Sequence, residues 1–312
     1  YQHIALTHYK PLNEVRLFLN GNLQFCSTDE ARYHEPMVHP AMNLAPLASR
    51  VLILGGGDGC ALREVLKYDR VKEVLLVDLD PEMTKLAATH PLLTAINQDA
   101  FRDARLTTLA GQGSSEGIHR RLYMEERSRR TGRSTSTPLA QVRVMNVDAD
   151  KFLSKAKGFW DIIIVDMPDP STPELAKLYT TQFYRKIKRR LSVHGMMVVQ
   201  ATSPYLAKES FLCIGRTIES AGFSTLPYHE NVPSFGDWGW YLAWHPALSR
   251  EKIMTGVQTI TFDVPTRFIT PAVFQKELVF GKNQLSSDRT DVNTLLHPVL
   301  LSIYNHESWL LD

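Results

Sequence analysis

Five residues, Gly55-Gly-Gly-Asp-Gly59, stand between an apolar run at 51–54 and a helical stretch at 61–67. Glycines at such a junction let the backbone turn sharply and approach a ligand closely. The chain then repeats the same alternation. Strand-like segments at 73–77, 142–146, 161–165 and 196–200 are interleaved with helical ones that open at Pro81 and cover 178–191 and 208–221. Two further strand-like stretches lie at 224–229 and 239–244. Repeated βα units predict an α/β fold, a Rossmann-like doubly wound and mostly parallel sheet.

Ahead of the sheet, two apolar runs within 15–25 flank Asn20-Gly21. Asn-Gly is the preferred two-residue hairpin turn, because both positions tolerate positive φ. A small N-terminal β-hairpin region is therefore expected over 1–35, with a helix near 37–47. The Rossmann-like domain is expected over 36–248. Residues 249–312, punctuated by Pro265 and Pro271, read as an α/β appendage without visible chemistry. Residues 104–141 break the rhythm and are too long for an ordinary connection. They read as a surface insertion, the sharper alternative being a lid or an arm for an acidic partner. The mixing of Arg and Glu in their charged run speaks against a nucleic-acid arm.

Composition narrows the function classes. A formal charge of +2 over 312 residues gives no basic surplus for nucleic acid. Cys26, Cys60 and Cys213 show neither zinc spacing nor a disulfide framework, so no metal is expected and a reducing compartment is. No apolar run reaches the length of a membrane span. The sequence opens at Tyr1, inside an apparent strand, so an upstream segment is expected.

Acids end the sheet strands: Asp78 the second, Asp148 the third, Asp166 the fourth, with Asp169 close behind. A lone aspartate at a strand end is more often a helix N-cap. Four of them fall along the crevice where open α/β sheets bind ligands. Asp78 is placed to accept hydrogen bonds from ribose hydroxyls, and Asp148 to meet an adenine amino group. The glycine loop holds no basic residue and carries Asp58, so phosphate would be repelled. That argues against nucleoside triphosphates and against NAD, whose Gly-x-Gly-x-x-Gly spacing is also absent. A nucleoside bearing a cation, such as a sulfonium, fits. Asp58 would repel the carboxylate of S-adenosylmethionine but pair with the ammonium of its decarboxylated form.

Four motifs in order carry a resemblance. They are Leu17-Phe-Leu-Asn-Gly-Asn-Leu-Gln24, Asp29-Glu-Ala-Arg-Tyr-His-Glu35, Gly55-Gly-Gly-Asp-Gly59 and Asp166-Met-Pro-Asp-Pro170. Together they resemble the spermidine synthase family over about residues 1–245. Val232-Pro-Ser-Phe-Gly-Asp-Trp-Gly239 and the tail look closer to a bacterial branch whose synthase domain follows a multi-helix membrane domain.

The resemblance implies transfer of an aminopropyl group from decarboxylated S-adenosylmethionine to putrescine or a related diamine, with release of methylthioadenosine. It implies no further cofactor, a homodimer or larger homo-oligomer, and a cytoplasmic location, with a tether to an upstream membrane domain where the branch has one. By position, Gln24 would contact the nucleoside, and Gly55 and Gly57 would pass beneath it. Tyr33 and His34 would border the polyamine, and Asp58 would hold the donor amine. Asp78 would take the ribose, and Asp148 and Ala149 the adenine. Asp166 would be the general base and Asp169 its partner. Pro173 would pack near the nucleoside, and Tyr228 would line the acceptor channel.

Met167 and Pro168 stand where the family usually has a small hydroxyl residue, and Ala149 where Gly is common. Glu35 and Glu230 are candidate anchors for the far amine, and Tyr33, Trp238 and Trp240 candidate aromatic walls. Trp240 and Tyr241 alternate along a strand, so one of them is expected in the core. An aspartate at its ordinary pKa is a weak base for an alkylammonium, so positioning is expected to carry much of the rate. Two alternatives stay open: an S-adenosylmethionine-dependent small-amine methyltransferase, and a non-catalytic polyamine- or nucleoside-binding domain.

Overall fold

The computed structural model describes residues 2–103, 106–110 and 141–308. Asn20 and Gly21 both take positive φ, 51° and 86°, and join β2 (Glu14–Leu19) to β3 (Asn22–Cys26). β1 (Ile4–Tyr9) pairs antiparallel with the other edge of β2, so the expected hairpin is part of a three-stranded sheet.

The first helix, α1 (Ala31–Leu44), begins six residues before its expected start and carries Tyr33, His34 and Glu35. Pro36 and Pro40 lie inside it, which is why the pattern hid its first turns. Pro40 has no N–H to give the Pro36 carbonyl. The Tyr228 hydroxyl, fully buried, donates to that carbonyl at 3.0 Å instead.

The main sheet contains β4 (Arg50–Gly55), β5 (Glu73–Asp78), β6 (Leu106–Ala110), β7 (Gln141–Asn146), β8 (Trp160–Asp166), β9 (Leu191–Gln200), β10 (Ser224–Val232) and β11 (Gly236–Trp244). Their spatial order is β10-β11-β9-β8-β4-β5-β7-β6. β4, β5, β6, β7, β8 and β9 run parallel, while β11 and β10 add antiparallel at one edge. β6 falls inside the stretch read as an insertion and forms the opposite edge. Residues 104–105 and 111–140 of that stretch lie outside the described residues.

Burial on both faces makes the strands near-continuous apolar runs. Val51 and Ile53 of β4 join Ile162 and Ile164 of β8 in one core. Leu52, Leu54, Ile163 and Val165 join the other. Trp240 and Tyr241 divide the same way, one to each core.

Helices flank the sheet: α2 (Cys60–Leu66), α3 (Pro81–Thr89), α4 (Pro91–Ile96), α5 (Ala149–Lys155), the single turn α6 (Pro173–Ala176), α7 (Thr181–Lys188) and α8 (Lys208–Ser220). α7 starts three residues later than expected, because Thr180 Oγ1 caps the N–H of Phe183.

After β11 the described chain holds helices and extended loops but no strand, so the expected α/β character of the tail is corrected. α9 (Arg250–Thr259) and α10 (Pro271–Glu277) send Ile253, Val257 and Phe274 into the first core. α11 (Val299–Ser308) sends Leu300 and Ile303 into the second. No described helix is long and apolar enough to cross a membrane.

Candidate active site

β4 and β8 are neighbours, yet their following connections run to opposite sides, β4 toward β5 and β8 toward β9. Such a switch point leaves a crevice at the carboxyl ends of the strands. Gly55 is paired in register with Asp166 there. Gly55 has φ +84°, and a Cβ on it would overlap the Asp166 carbonyl oxygen, so only glycine lets the two strand ends close up. Above them opens a cavity of about 320 Å³, within the range of small-molecule sites.

Asp58, Asp78, Asp148, Asp166 and Asp169 all line this cavity, as do Gly55 and Gly57. Gln24, Tyr33, His34 and Ala149 line it too. Of the residues assigned by the family resemblance, Pro173 and Tyr228 do not. Pro173 opens α6 with its ring exposed, while its neighbours Glu174 and Leu175 reach the cavity. Tyr228 sits in the core, stacked on Trp240 with centroids 5.5 Å apart and hydrogen-bonded to Pro36.

The glycine-loop side is acidic. Asp58 Oδ1 accepts the N–H of Cys60 at 2.7 Å, which anchors the carboxylate at the start of α2. Asp78 Oδ1 accepts the N–H of Asp80 at 2.8 Å. Burial pushes the Asp78 carboxyl up to about 6, the Asp80 N–H opposing and Asp58 adding repulsion. Asp148 is a helix cap: Oδ1 accepts from Asp150 and Lys151 at 2.8 and 3.0 Å, and Oδ2 pairs with Lys177 at 3.0 Å. Burial alone would raise its carboxyl, but the Lys151 N–H and the Lys177 ammonium hold it below the usual range. Its charge is thus largely spent on the fold.

Asp166 is placed between the loop and α1. Tyr33 Oη donates to its Oδ1 at 2.8 Å. Burial, and then the charge of Asp58, push Asp166 up to about 6 against the opposing pull of His34 and Tyr33. Asp169 is held at both oxygens, Oδ1 by Gln200 Nε2 at 2.9 Å and Oδ2 by Tyr304 Oη at 2.7 Å. Burial raises its pKa as well.

His34 Nδ1 lies 2.9 Å from both the carbonyl oxygen and Oε2 of Glu30. Both are acceptors, so Nδ1 carries the proton. Glu30 is fixed in turn by Arg63 at 2.9 and 3.1 Å and by Arg267. Burial disfavours the imidazolium, but the Glu30 bond and the charges of Asp58 and Asp166 leave its pKa raised overall.

One ligand atom each of His34, Asp58 and Asp166 lies within 4.8 Å of the others, bringing two carboxylates together in the cavity. A metal ion could be held by the same spacing, as by Glu35, His39 and Glu64. In the latter set His39 already bonds Tyr68 and Glu64, and Glu64 pairs with Lys67.

Tyr33, Phe235 and Trp238 form an aromatic wall, with centroids 5.8 and 5.2 Å apart in succession. Trp240 is fully buried behind it. The two glutamates expected to anchor a distant amine are engaged elsewhere. Glu35 accepts the N–H groups of Arg267, Phe268 and Ile269 at 2.7–2.8 Å. Glu230 pairs with Lys276 at 2.6 Å and Arg32 at 3.4 Å. Neither lines the cavity.

Gln200, Lys177 and Tyr304 do line it and were not singled out from the sequence. Gln200 left a signal, a polar residue ending an apolar strand. Tyr304 left none, being 135 residues from its partner Asp169.

A spermine/spermidine synthase domain matches residues 30–115 and 123–252. The chain belongs to the spermine/spermidine synthase family. A polyamine aminopropyltransferase of Ralstonia nicotianae is 39% identical over 99% of this chain and 52% of its own length. One of Bacillus cereus is 38% identical over 95% of this chain and 71% of its own. The chain spans about half the length of most of the curated relatives it matches. A crystal structure of spermidine synthase in complex with the transition-state analogue AdoDATO superposes with a TM-score of 0.67, at 23% identity over 91% of this chain and 85% of that one. The spermidine synthase of Thermotoga maritima gives 0.64 at 22% identity. These two family structures share the fold described above.

Proposed function

We propose that the chain is a polyamine aminopropyltransferase, moving the aminopropyl group of decarboxylated S-adenosylmethionine onto putrescine or a related diamine. One observation carries the reading: Asp58 of the glycine loop and Asp166 at the end of β8 converge with His34 in one small cavity. A cavity with this charge suits two cationic ligands and repels phosphate. The names of the relatives support the same activity.

In this reading Asp58 pairs with the ammonium of the donor, and Asp78 accepts the ribose hydroxyls. Asp166 takes a proton from the acceptor ammonium as it reaches the site, and the neutral amine so formed attacks the aminopropyl carbon bound to sulfur. The N–C bond forms as the C–S bond breaks, and its electron pair goes to sulfur, leaving the neutral thioether methylthioadenosine. The positive charge passes to the acceptor nitrogen, the product leaves as a secondary ammonium, and Asp166 returns its proton to solvent. The sulfonium is already an activated leaving group, so no acid is required.

The raised pKa of Asp166, about 6, makes it a stronger base than an ordinary aspartate. It remains well below an alkylammonium at roughly 10.4, so orientation still supplies much of the rate. The wall of Tyr33, Phe235 and Trp238 suits the methylene chain and charge of a diamine. Met167 and Pro168 line the same cavity and bear on which diamine is taken.

No cofactor beyond the co-substrate enters the scheme. Cytoplasmic placement and a homo-oligomer are proposed with it on the family resemblance, and sedimentation equilibrium tests the latter. The deciding experiment is mass spectrometry of the protein incubated with decarboxylated or intact S-adenosylmethionine and a panel of diamines. Products heavier by an aminopropyl group, with methylthioadenosine released, are expected from the decarboxylated donor alone. Methylated amines from the intact donor would replace the proposal with a methyltransferase. No product from either donor would leave a binding domain.

A further inference from the structure

Among the described residues, the tail beyond the matched family domain, which ends at residue 252, reaches back into the cavity through Tyr304. Tyr304 of α11 lines the cavity and donates to Asp169 Oδ2 at 2.7 Å. Gln200 Nε2 holds the other oxygen at 2.9 Å. Asp169 is therefore a carboxylate clamped between the sheet and the tail.

The tail is built to keep Tyr304 there. Glu307, one turn further along α11, accepts from the N–H of Glu209 at 2.6 Å and from the N–H and Oγ of Ser210 at 2.9 and 2.6 Å. A carboxylate on the first N–H groups of α8 satisfies donors that have no partner within that helix and opposes its dipole. At the other end, Asn293 is fully buried. Its Nδ2 donates to the carbonyls of Ala176 and Tyr179 at 3.1 and 3.0 Å, and its Oδ1 accepts from Leu300 at 3.3 Å. Tyr179 in turn donates its hydroxyl to the backbone carbonyl of Pro168 at 3.0 Å, beside Asp169. One end of the segment is thus tied to the start of α8 and the other to the turn of residues 176–179, whose Tyr179 holds the loop that carries Asp169.

Resting on the aminopropyl-transfer reading, we propose that Tyr304 is a positioning residue for the acceptor. It fixes the Asp169 carboxylate so that its remaining lone pairs face a diamine ammonium, and α11 thereby belongs to the acceptor half of the site. The physical reason is preorganisation. A carboxylate already oriented by two donors loses little freedom when it receives the cation. The Tyr304 bond also lowers the Asp169 pKa against the effect of burial, keeping the anion that an ammonium requires.

The test compares wild type, Tyr304→Phe and Glu307→Gln by steady-state kinetics against the diamine. Calorimetric titration of each protein with methylthioadenosine alone, and with diamine in its presence, completes it. Tyr304→Phe is expected to raise the acceptor KM about tenfold, the scale of one hydrogen bond to a charged group. Its kcat should change by less than about twofold and its methylthioadenosine affinity not at all. The acid limb of kcat/KM for the acceptor should move to higher pH. Glu307→Gln, which touches nothing in the cavity, should raise the same KM more weakly.

An unchanged acceptor KM and acid limb in Tyr304→Phe would overturn the proposal. So would loss of methylthioadenosine binding, which would mean that the residue serves the fold. Failure of the wild type to transfer aminopropyl would instead sink the underlying reading. The diamine titration would then decide the role of Tyr304 by itself: weaker diamine binding in Tyr304→Phe keeps it, equal binding ends it.

Discussion

The Tyr33 hydroxyl donates a hydrogen bond to Asp166 Oδ1 at 2.8 Å, tying the first helix to the end of a strand 133 residues later. The bond stabilises the ionised carboxylate, so it works against burial and Asp58, which raise the Asp166 pKa. Removing it lets the pKa climb. Tyr33→Phe should shift the acid limb of kcat/KM upward by about one pH unit from its position near 6. The loss should be roughly threefold at about pH 6.5, approach tenfold below about pH 5 and be small at about pH 8.5. A pH–rate profile checks this, and a profile superimposable on wild type would detach Tyr33 from the base.

Asp166→Asn should lower kcat by at least about 10²-fold, the scale of a lost general base, while methylthioadenosine still binds. Wild-type turnover by this variant would reject Asp166 as the base.

The same substitution should also stabilise the ligand-free protein near neutral pH. Asp166 and Asp78 have folded pKa values of about 6, above those of an unfolded aspartate. Their ionisation therefore costs the folded state: stability is full below their ordinary pKa and declines as pH rises through about 6. Two pKa units correspond to at most about 3 kcal/mol, and a gain on the order of 1–3 kcal/mol is expected for Asp166→Asn at about pH 7.5. It should vanish near about pH 4. Denaturant titrations at the two pH values measure it, and equal stability of both proteins at the higher pH would contradict it.

Asp58→Asn should weaken the decarboxylated donor by roughly tenfold to a hundredfold, about 1.4–3 kcal/mol for a charge-assisted bond. Methylthioadenosine, which has no ammonium to pair, should bind almost as before. Calorimetric titrations with the two ligands distinguish this from a general disturbance of the loop, which would weaken both alike.

Glu35→Gln is a control in the opposite sense. Glu35 is fully buried and receives three backbone N–H groups from residues 267–269. A neutral amide in its place loses charge-assisted bonds and forces an N–H₂ toward donors. The cost should be about 2–4 kcal/mol in denaturant unfolding. Methylthioadenosine affinity should be kept, since Glu35 does not line the cavity. A lost affinity with unchanged stability would reverse the assignment.

How far the sequence could be read followed the range of the interaction concerned. The Asn20-Gly21 turn and the glycine loop are set by residues adjacent in the chain. The strands of the parallel sheet are apolar because both their faces are buried. Asp148 and Tyr228 were read as site residues by position, and Glu35 and Glu230 as candidate anchors. Asp148 lies on the cavity wall but spends its charge on a helix end and Lys177. The other three satisfy groups brought near by folding: the N–H groups of 267–269, the cations Arg32 and Lys276, and the carbonyl freed by Pro40. A carboxylate or a phenol shows its type in a sequence but not its partner.

The sequence by itself determined the βα alternation, the glycine loop and the row of acids at strand ends, because period, turn chemistry and charge are local properties. Only the tertiary structure decided which acids share one cavity, how far burial raises Asp78 and Asp166, and that Tyr304 of the tail meets Asp169. Desolvation and long-range hydrogen bonds depend on what surrounds a group in space, and that is settled only when the chain closes on itself.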